Sequence, residues 1–522
     1  MTQPFAVRAL SLLALAVLAG CAPAPPVATP AAPDAPKAEQ RAASQTFTIA
    51  QIGLPATLSP ESSGANYAVY SALYDSLVKL DKTADALPWA AEKWDLVNGT
   101  TWRFTLRQGL VFGNGDPVTA ADVAFTANTA IQGRWPIAGG FGNVAAVKAV
   151  DGRTIDFEMK VADASILPGI TALWILPEKY YTQVGRDGFA AKPIGSGPYE
   201  LVEFRGGDMV RFRKKSAEHL YRKAQSPELT FRSLPEQTAM LAGFRTGEID
   251  VLIGQLSPDL VEQMKAVNAQ IDTRHTGVNY AVFSQAENRE RNTPLTDRRV
   301  RLALNYAVDR AAIAKTLYRG YAMPVAQFSV PDSLSWDESI KPYPFDPAMA
   351  RRLLAEAGYP NGFKLQNGIE FTPQTTNPQV AAALQGYLRD VGVEAAVTSL
   401  ELAVFLDKFY GRAGQSKAEL FMVTSQAESA YGSNQRTTHD CEKPLAWWCN
   451  QTYQQLLERV QTEPDRTRRS ALMRQAIRIF YDEVAHIDLI AVPQFVVQQP
   501  KVRGFVWEAA NTHNFDTIYR VE

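Results

Sequence analysis

Apolar and polar positions alternate with two periods along this 522-residue chain, and the changes of period mark out its elements. Thr46-Phe-Thr-Ile-Ala-Gln-Ile-Gly53 alternates with period two and predicts an opening strand; residues 101–106 and 154–159 repeat the pattern. Residues 67–80 predict a short helix and then a strand. Thr119-Ala-Ala-Asp122 places an acid three residues after an N-cap threonine, so a helix is expected from there to about Ala130. Asn114-Gly115-Asp116-Pro117 reads as a turn, and residues 199–213 as a hairpin broken at Gly206-Gly207. Between Arg134 and Val144, the run with Trp135, Pro136, Gly139, Gly140 and Phe141 predicts an irregular loop with exposed aromatics.

The second half is more helical. A helix over 235–246 ends at Gly247, where a left-handed cap suits glycine, and leads into a buried strand over 251–253. Residues 297–317 carry one continuous helical pattern. Asp346-Pro347 opens another helix, with Leu353, Leu354 and Ala357 on one face and Gly358 ending it. Residues 379–391 repeat this logic, ending at Gly392, and 393–398 predict a strand. Thr462-Glu-Pro-Asp465 opens a last long helix to about Asp482. Strands and helices alternate without an internal repeat, which predicts an α/β fold with at least two lobes.

The N-terminus departs from this pattern. Arg8 precedes an apolar run, 9–19, that ends in Leu18-Ala19-Gly20-Cys21. Such a start is an export signal, and the run falls short of the roughly 20 apolar residues a membrane span needs. Cys21 directly after Leu-Ala-Gly resembles the bacterial lipobox, which implies cleavage before Cys21 and a lipid on its thiol. An ordinary cleaved signal is the alternative. Residues 22–44 are mostly Ala and Pro and cannot bury enough surface to order themselves. At about 3.1 Å per residue they form a tether reaching on the order of 70 Å.

Composition narrows the function. Hydrophobic content of 46% and charged content of 20% are ordinary for a soluble globular body. Arg8 is the one basic residue of the first twenty, leaving 52 basic against 54 acidic residues. That balance and the lack of a basic run speak against nucleic-acid binding. Of three cysteines, Cys21 is assigned to lipid, and Cys441 and Cys449 remain, eight apart. In an oxidising compartment they read as a disulfide. A metal site using His439 is the alternative, although Cys-His-Cys is short of a zinc set. The five histidines lack ligand-like spacing. No nucleophile elbow, His-Glu-x-x-His, phosphate loop or dinucleotide fingerprint is present, so neither catalysis nor an obligatory cofactor is expected.

Seven blocks in order carry a resemblance. They are Tyr74-Asp-Ser-Leu-Val78 with Leu87-Pro-Trp-Ala-Ala-Glu-Lys-Trp94; Trp102-Arg-Phe-Thr-Leu-Arg-Gln-Gly-Leu-Val-Phe112; Val118-Thr-Ala-Ala-Asp-Val123; Ile194-Gly-Ser-Gly-Pro-Tyr199; Phe244-Arg-Thr-Gly-Glu-Ile-Asp250; Val300-Arg-Leu-Ala-Leu-Asn-Tyr-Ala-Val-Asp309; and Ala350-Arg-Arg-Leu-Leu-Ala-Glu-Ala-Gly358. Together they resemble the family 5 solute-binding proteins of ABC importers, which include oligopeptide, dipeptide and nickel binders. Gly195, Gly197 and Pro198 suit a tight strand-to-strand turn. Arg107 and Asp122 either pair across the strand–helix unit or act as separate surface charges.

The resemblance implies a two-lobed binding-protein fold with a deep cleft and two crossovers. On this chain it implies a signal over 1–20, a tether over 21–45, lobe one over 46–275 with 490–522, and lobe two over 276–489. An extra subdomain would span about 78–190. It implies hinge closure on a small solute, a peptide or peptide-like compound, and delivery of that solute by a lipid-anchored monomer to the transmembrane subunits of a permease. A sensor or chaperone-like lipoprotein of the same fold is the alternative.

Peptide-binding members hold the ligand's ammonium with an acid in a Trp-Gly-x-x-Asp-like stretch. Thr424-Ser-Gln-Ala-Glu428-Ser-Ala-Tyr431 matches it here, without the tryptophan and with Glu428 for aspartate. Arg436 and Arg134 are candidates for a ligand carboxylate, since a guanidinium holds one through two bonds. Trp135, Phe141, Tyr431, Trp447 and Trp448 are candidates for an apolar wall, with core packing as the alternative for Trp447 and Trp448.

Overall fold

The computed structural model describes residues 45–61, 66–284, 292–410, 418–426, 441, 448–509 and 512–521. One eleven-stranded sheet runs through the molecule. In chain order its strands are β1 (Phe47–Gln51), β2 (Tyr199–Arg205), β3 (Met209–Lys214), β4 (Glu228–Ser233), β5 (Val251–Gly254), β6 (Gln270–Phe283), β7 (Met323–Pro324), β8 (Ile369–Phe371), β9 (Val397–Ser399), β10 (Leu420–Gln426) and β11 (His486–Gln498). Across the sheet they lie in the order β9-β8-β10-β6-β11-β5-β1-β4-β3-β2, with β7 paired to β11.

The two long strands explain how one sheet serves two lobes. β6 and β11 pair antiparallel along almost their full length. At one end of the pair, β5 joins β11 through Val251↔Gln498 to Gly254↔Phe495. At the other end, β10 joins β6 through Gly277↔Gln426 to Phe283↔Leu420. The register of β6 on β11 slips between His275 and Gly277 and again between Asn279 and Tyr280, where the halves meet. Such bulges bend a strand pair and sharpen its twist.

Each half has its own core. The first gathers Phe47, Ile49, Tyr70, Tyr74, Phe104, Phe157, Trp174, Phe212 and Phe231. It includes a four-stranded antiparallel sheet, Ala91–Leu96, Thr101–Leu106, Thr154–Met159 and Val144–Ala149, covered by the helix Ala120–Gln132. Thr119 and Asp122 cap that helix reciprocally, as their spacing predicts. The second half is built on Val300, Leu304, Leu384, Leu388, Leu420 and Ile487. A neighbouring cluster joins Phe328, Trp448, Tyr453, Met473 and Phe480.

Several local expectations are corrected. Residues 134–144 are not an exposed loop. Pro136–Phe141 is a 3-10 turn, and Trp135 and Phe141 are buried in the first core, because the turn folds back on the helix end. The pattern over 297–317 is two helices, Arg298–Tyr306 and Arg310–Tyr318, since Asp309 accepts from the Ala312 amide and caps the second. Residues 393–398 divide into Val393–Glu394, paired with Phe363–Lys364 outside the main sheet, and β9. Arg107 and Asp122 do not pair. Arg107 donates to the Trp89 carbonyl, while Asp122 is buried and accepts from Thr119 and the Glu178 amide.

Gly195 and Gly197 answer to close approach rather than to turn conformation. A Cβ on Gly195 would sit 2.0 Å from the Leu73 carbonyl oxygen, and one on Gly197 would sit 2.7 Å from that of Ala72. The Gly197 amide donates to Leu73 at 2.9 Å, which ties this segment to the end of the helix Tyr67–Leu73.

Candidate functional site

The carboxyl ends of strands from both halves converge on the middle of the β6–β11 pair. β1 and β5 are parallel and finish together at Gln51 and Ile253. β8 and β10 are parallel in the other half, and β10 finishes opposite Gly277. In α/β sheets, ligands settle beside such carboxyl ends.

A cavity of about 330 Å³ opens there, a size that suits a small ligand. The strand ends supply Gln51, Ile52, Ile253, Gly254 and Gln255. The start of the helix Tyr67–Leu73 adds Asn66, Tyr67 and Ala68, β11 adds Gln494, and the C-terminal segment adds His513. Gln51 Nε2 donates to Asn66 Oδ1 at 2.5 Å and to the Gly53 carbonyl at 3.0 Å, so the amides are oriented before any ligand arrives. His513 is buried and stacks on Trp507, with ring centroids 5.4 Å apart. The described wall therefore offers amides, an imidazole and the Tyr67 phenol, without a carboxylate or an ammonium. This is chemistry for neutral hydrogen-bonding groups.

On the facing half, Asn279 of β6 donates to Thr424 Oγ1 at 2.8 Å, holding the end of β10 against the crossover. On the pair itself, His275 Nε2 donates to the Tyr321 carbonyl at 2.9 Å, and burial pushes its pKa below the ordinary value. It is therefore neutral at physiological pH, with its proton on Nε2.

Beneath the cavity's helix lies a buried ionic cluster. Arg222 grips Asp516 through Nε at 2.7 Å and Nη2 at 2.9 Å, and reaches Asp75 through Nη1 at 3.2 Å. His219 and Tyr221 also bond Asp75, at 3.0 and 2.9 Å. Burial alone would raise the Asp75 pKa, but the His219 bond and the Arg222 charge carry it well below the carboxylate range. The cluster ties the end of the helix, the segment after β3 and the C-terminal segment into one wall.

The sequence candidates divide sharply. Arg134 is exposed at the end of the helix Ala120–Gln132, with a left-handed φ of 51°, and does not line the cavity. Trp135 and Phe141 lie in the first core. Trp448 is buried against Tyr453 and Phe480. Cys441 and Cys449 form a disulfide, which takes up both thiols the metal alternative required. Cys21, Glu428, Tyr431, Arg436, His439 and Trp447 lie outside the described residues. Gln51, Asn66, Gln255, Gln494 and His513 were not legible as site residues. Each is an ordinary polar residue; Gln51, Asn66 and Gln255 at least flank predicted strands or a helix, whereas Gln494 and His513 carry no local signal.

The profile of the bacterial extracellular solute-binding proteins, family 5, matches residues 85–437. The chain belongs to that family. Among curated relatives, the dipeptide-binding protein of Escherichia coli K12 is 24% identical, with 91% of this chain and 94% of that protein aligned. Heme-binding protein A of Haemophilus influenzae is 25% identical, with 92% of each covered. The glutathione-binding protein GsiB of E. coli K12 is 30% identical over 64% of this chain and 65% of its own. Among solved structures, HbpA2 of Haemophilus parasuis superposes with a TM-score of 0.79 at 21% identity, covering 91% of this chain and all of that one. DppA of Helicobacter pylori in complex with the peptide STSA superposes with 0.71 at 24% identity, covering 92% and 99%. The fold is thus the two-lobed one of this family, and the role is solute binding. Among the described residues, no helix is long and apolar enough to cross a membrane.

Proposed function

We propose that this family 5 protein captures a peptide or peptide-like solute between its lobes and delivers it to the transmembrane subunits of an ABC importer. The observation that carries the reading is the amide-lined cavity at the strand ends. Peptide bonds need alternating donors and acceptors, and Gln51, Asn66, Gln255 and Gln494 offer both. A relative that binds dipeptides and one that binds glutathione agree with it. Lobe one would span 46–275 with 490–522, including an extra subdomain over 78–190, and lobe two 276–489. This division is supported by the two separate cores and by the register slips after His275 and Asn279.

The ligand's amine would meet Glu428, just after β10. Thermal-shift screening against di- and tripeptides, glutathione and haem tests the reading. A ligand at a hundred times its dissociation constant stabilises by about 2.7 kcal/mol, which moves the melting temperature visibly. A peptide hit is expected to weaken in Glu428→Gln, while its N-acetylated form is indifferent to that change. Equal binding of the free peptide to both proteins removes Glu428 from the site, and a flat screen removes the peptide-like solute.

The anchor would be a lipid on Cys21 at the end of an Ala/Pro tether. Cys21→Ser is expected to move the protein from the membrane fraction to the soluble fraction of the producing bacterium. Retention in the membrane fraction would count against lipidation.

A further inference from the structure

We propose that the lobes are joined by an ionic clasp outside the strand pair, which restrains their rotation and so tunes binding in the cleft. It bears on the solute-binding reading, but the contact itself stands apart from any ligand. One side is the turn 81–85, between the paired segments Val78–Leu80 and Ala86–Pro88 of the first lobe. The other side is the start of the helix Arg466–Asp482 in the second lobe.

Asp85 is straddled by two guanidinium groups, with Arg469 Nη2 at 3.0 Å from Oδ1 and Arg466 Nε at 3.1 Å from Oδ2. Arg466 Nη2 also donates to Thr83 Oγ1 at 2.8 Å and lies 3.4 Å from Asp81 Oδ2. Beside the ion pairs, the Ala164 amide of the first lobe donates to the Gln461 carbonyl of the second at 2.5 Å. The two sides have separate cores. Leu77 and Val78 pack with the first lobe, while Met473, Ala476 and Phe480 pack with the cluster around Trp448.

Both sides are shaped before they meet. Asp81 Oδ1 accepts from the Thr83 amide at 2.8 Å, the Thr83 hydroxyl at 2.5 Å and the Asp85 amide at 3.1 Å, which leaves Oδ2 turned toward Arg466. Arg469 is held from its own lobe by donating to the Glu463 and Pro464 carbonyls at 3.2 and 3.0 Å. Little ordering entropy is then lost on contact. Arg469 is buried, with 1% of its side chain exposed, whereas Arg466 is 44% exposed. The inner pair is therefore shielded and the outer one is screened by salt. Ionic contacts suit a joint that moves, because parting them wets charges rather than apolar surface. A contact present in one lobe arrangement shifts the equilibrium toward it by its own free energy.

The test uses the full-length protein without ligand. Exchange of the Ala164 amide is followed by hydrogen–deuterium exchange and lobe spacing by small-angle scattering, in wild type, Arg466→Glu and Arg466→Lys. Arg466→Glu sets a third negative charge against Asp81 and Asp85. It is expected to speed Ala164 exchange by about tenfold or more and to broaden the distribution of lobe distances. Wild type should drift the same way in about 1 M salt, and Arg466→Lys should stay near wild type. Should Arg466→Glu fail to fold, Arg466→Gln carries the comparison. Exchange and scattering that do not change in the charge-removing variant would overturn the clasp. Because no solute is used, that result would leave the cleft reading standing, and a flat solute screen would leave the clasp readable.

Discussion

Arg222→Met is expected to cost about 3–5 kcal/mol, the largest loss from any single change considered, because it leaves Asp75 and Asp516 buried without their cation. The methionine keeps most of the side chain's volume, so the loss would come from charge rather than from a cavity. Calorimetry is expected to show the first lobe melting earlier, with faster amide exchange in the helix Tyr67–Leu73 and in the C-terminal segment near Asp516. A melting profile unchanged from wild type would show that the cluster is solvated, contrary to its burial. The same cluster sets an acid limit. Asp75 has its folded pKa below its unfolded one, so its contribution is fully present above about pH 4 and is lost as the pH falls further. The stability gap between wild type and Asp75→Asn should therefore narrow below pH 4.

Glu419→Ala is the counterpart in the second lobe. Its carboxylate accepts from the amides of Gln366, Asn367 and Gly368 at 3.1, 3.0 and 2.8 Å, and the residue is 1% exposed. These bonds shape the approach to β8, which lies between β9 and β10 in the second half of the sheet. Removing the acceptor strands three amides, and a loss of about 2–4 kcal/mol is expected, short of three full penalties because water can reach Gln366. The transition that moves should belong to the second lobe, whereas Arg222→Met should move the first. Two variants that shift the same transition equally would show that the lobes melt as one unit.

What a pattern along the chain can carry is set by range. The helix Ala120–Gln132 was legible because its cap and its apolar stripe lie within one stretch of chain. The break between Arg298–Tyr306 and Arg310–Tyr318 is hidden in the sequence because the apolar spacing continues through it, although Asp309 caps the second helix. Trp135 was misread because a short glycine-rich run looks alike whether it faces water or folds onto a core. The strands β6 and β11 were the costliest omission. Buried along much of their length, they lack the alternation that marks a half-exposed strand.

Sequence by itself determined the α/β class, most of the capped helices and, through ordered blocks, the family, and it favoured a Cys441–Cys449 disulfide over a metal site, which the structure then showed. All of these are written in residues close together or in a linear order that a motif can carry. Tertiary structure alone decided that β6 and β11 cross together between two cores, that Arg222 meets Asp516 from 294 residues away, and that five separate segments close one amide-lined cavity. Such contacts leave no period in the chain, since each partner is chosen by the packing of everything between them.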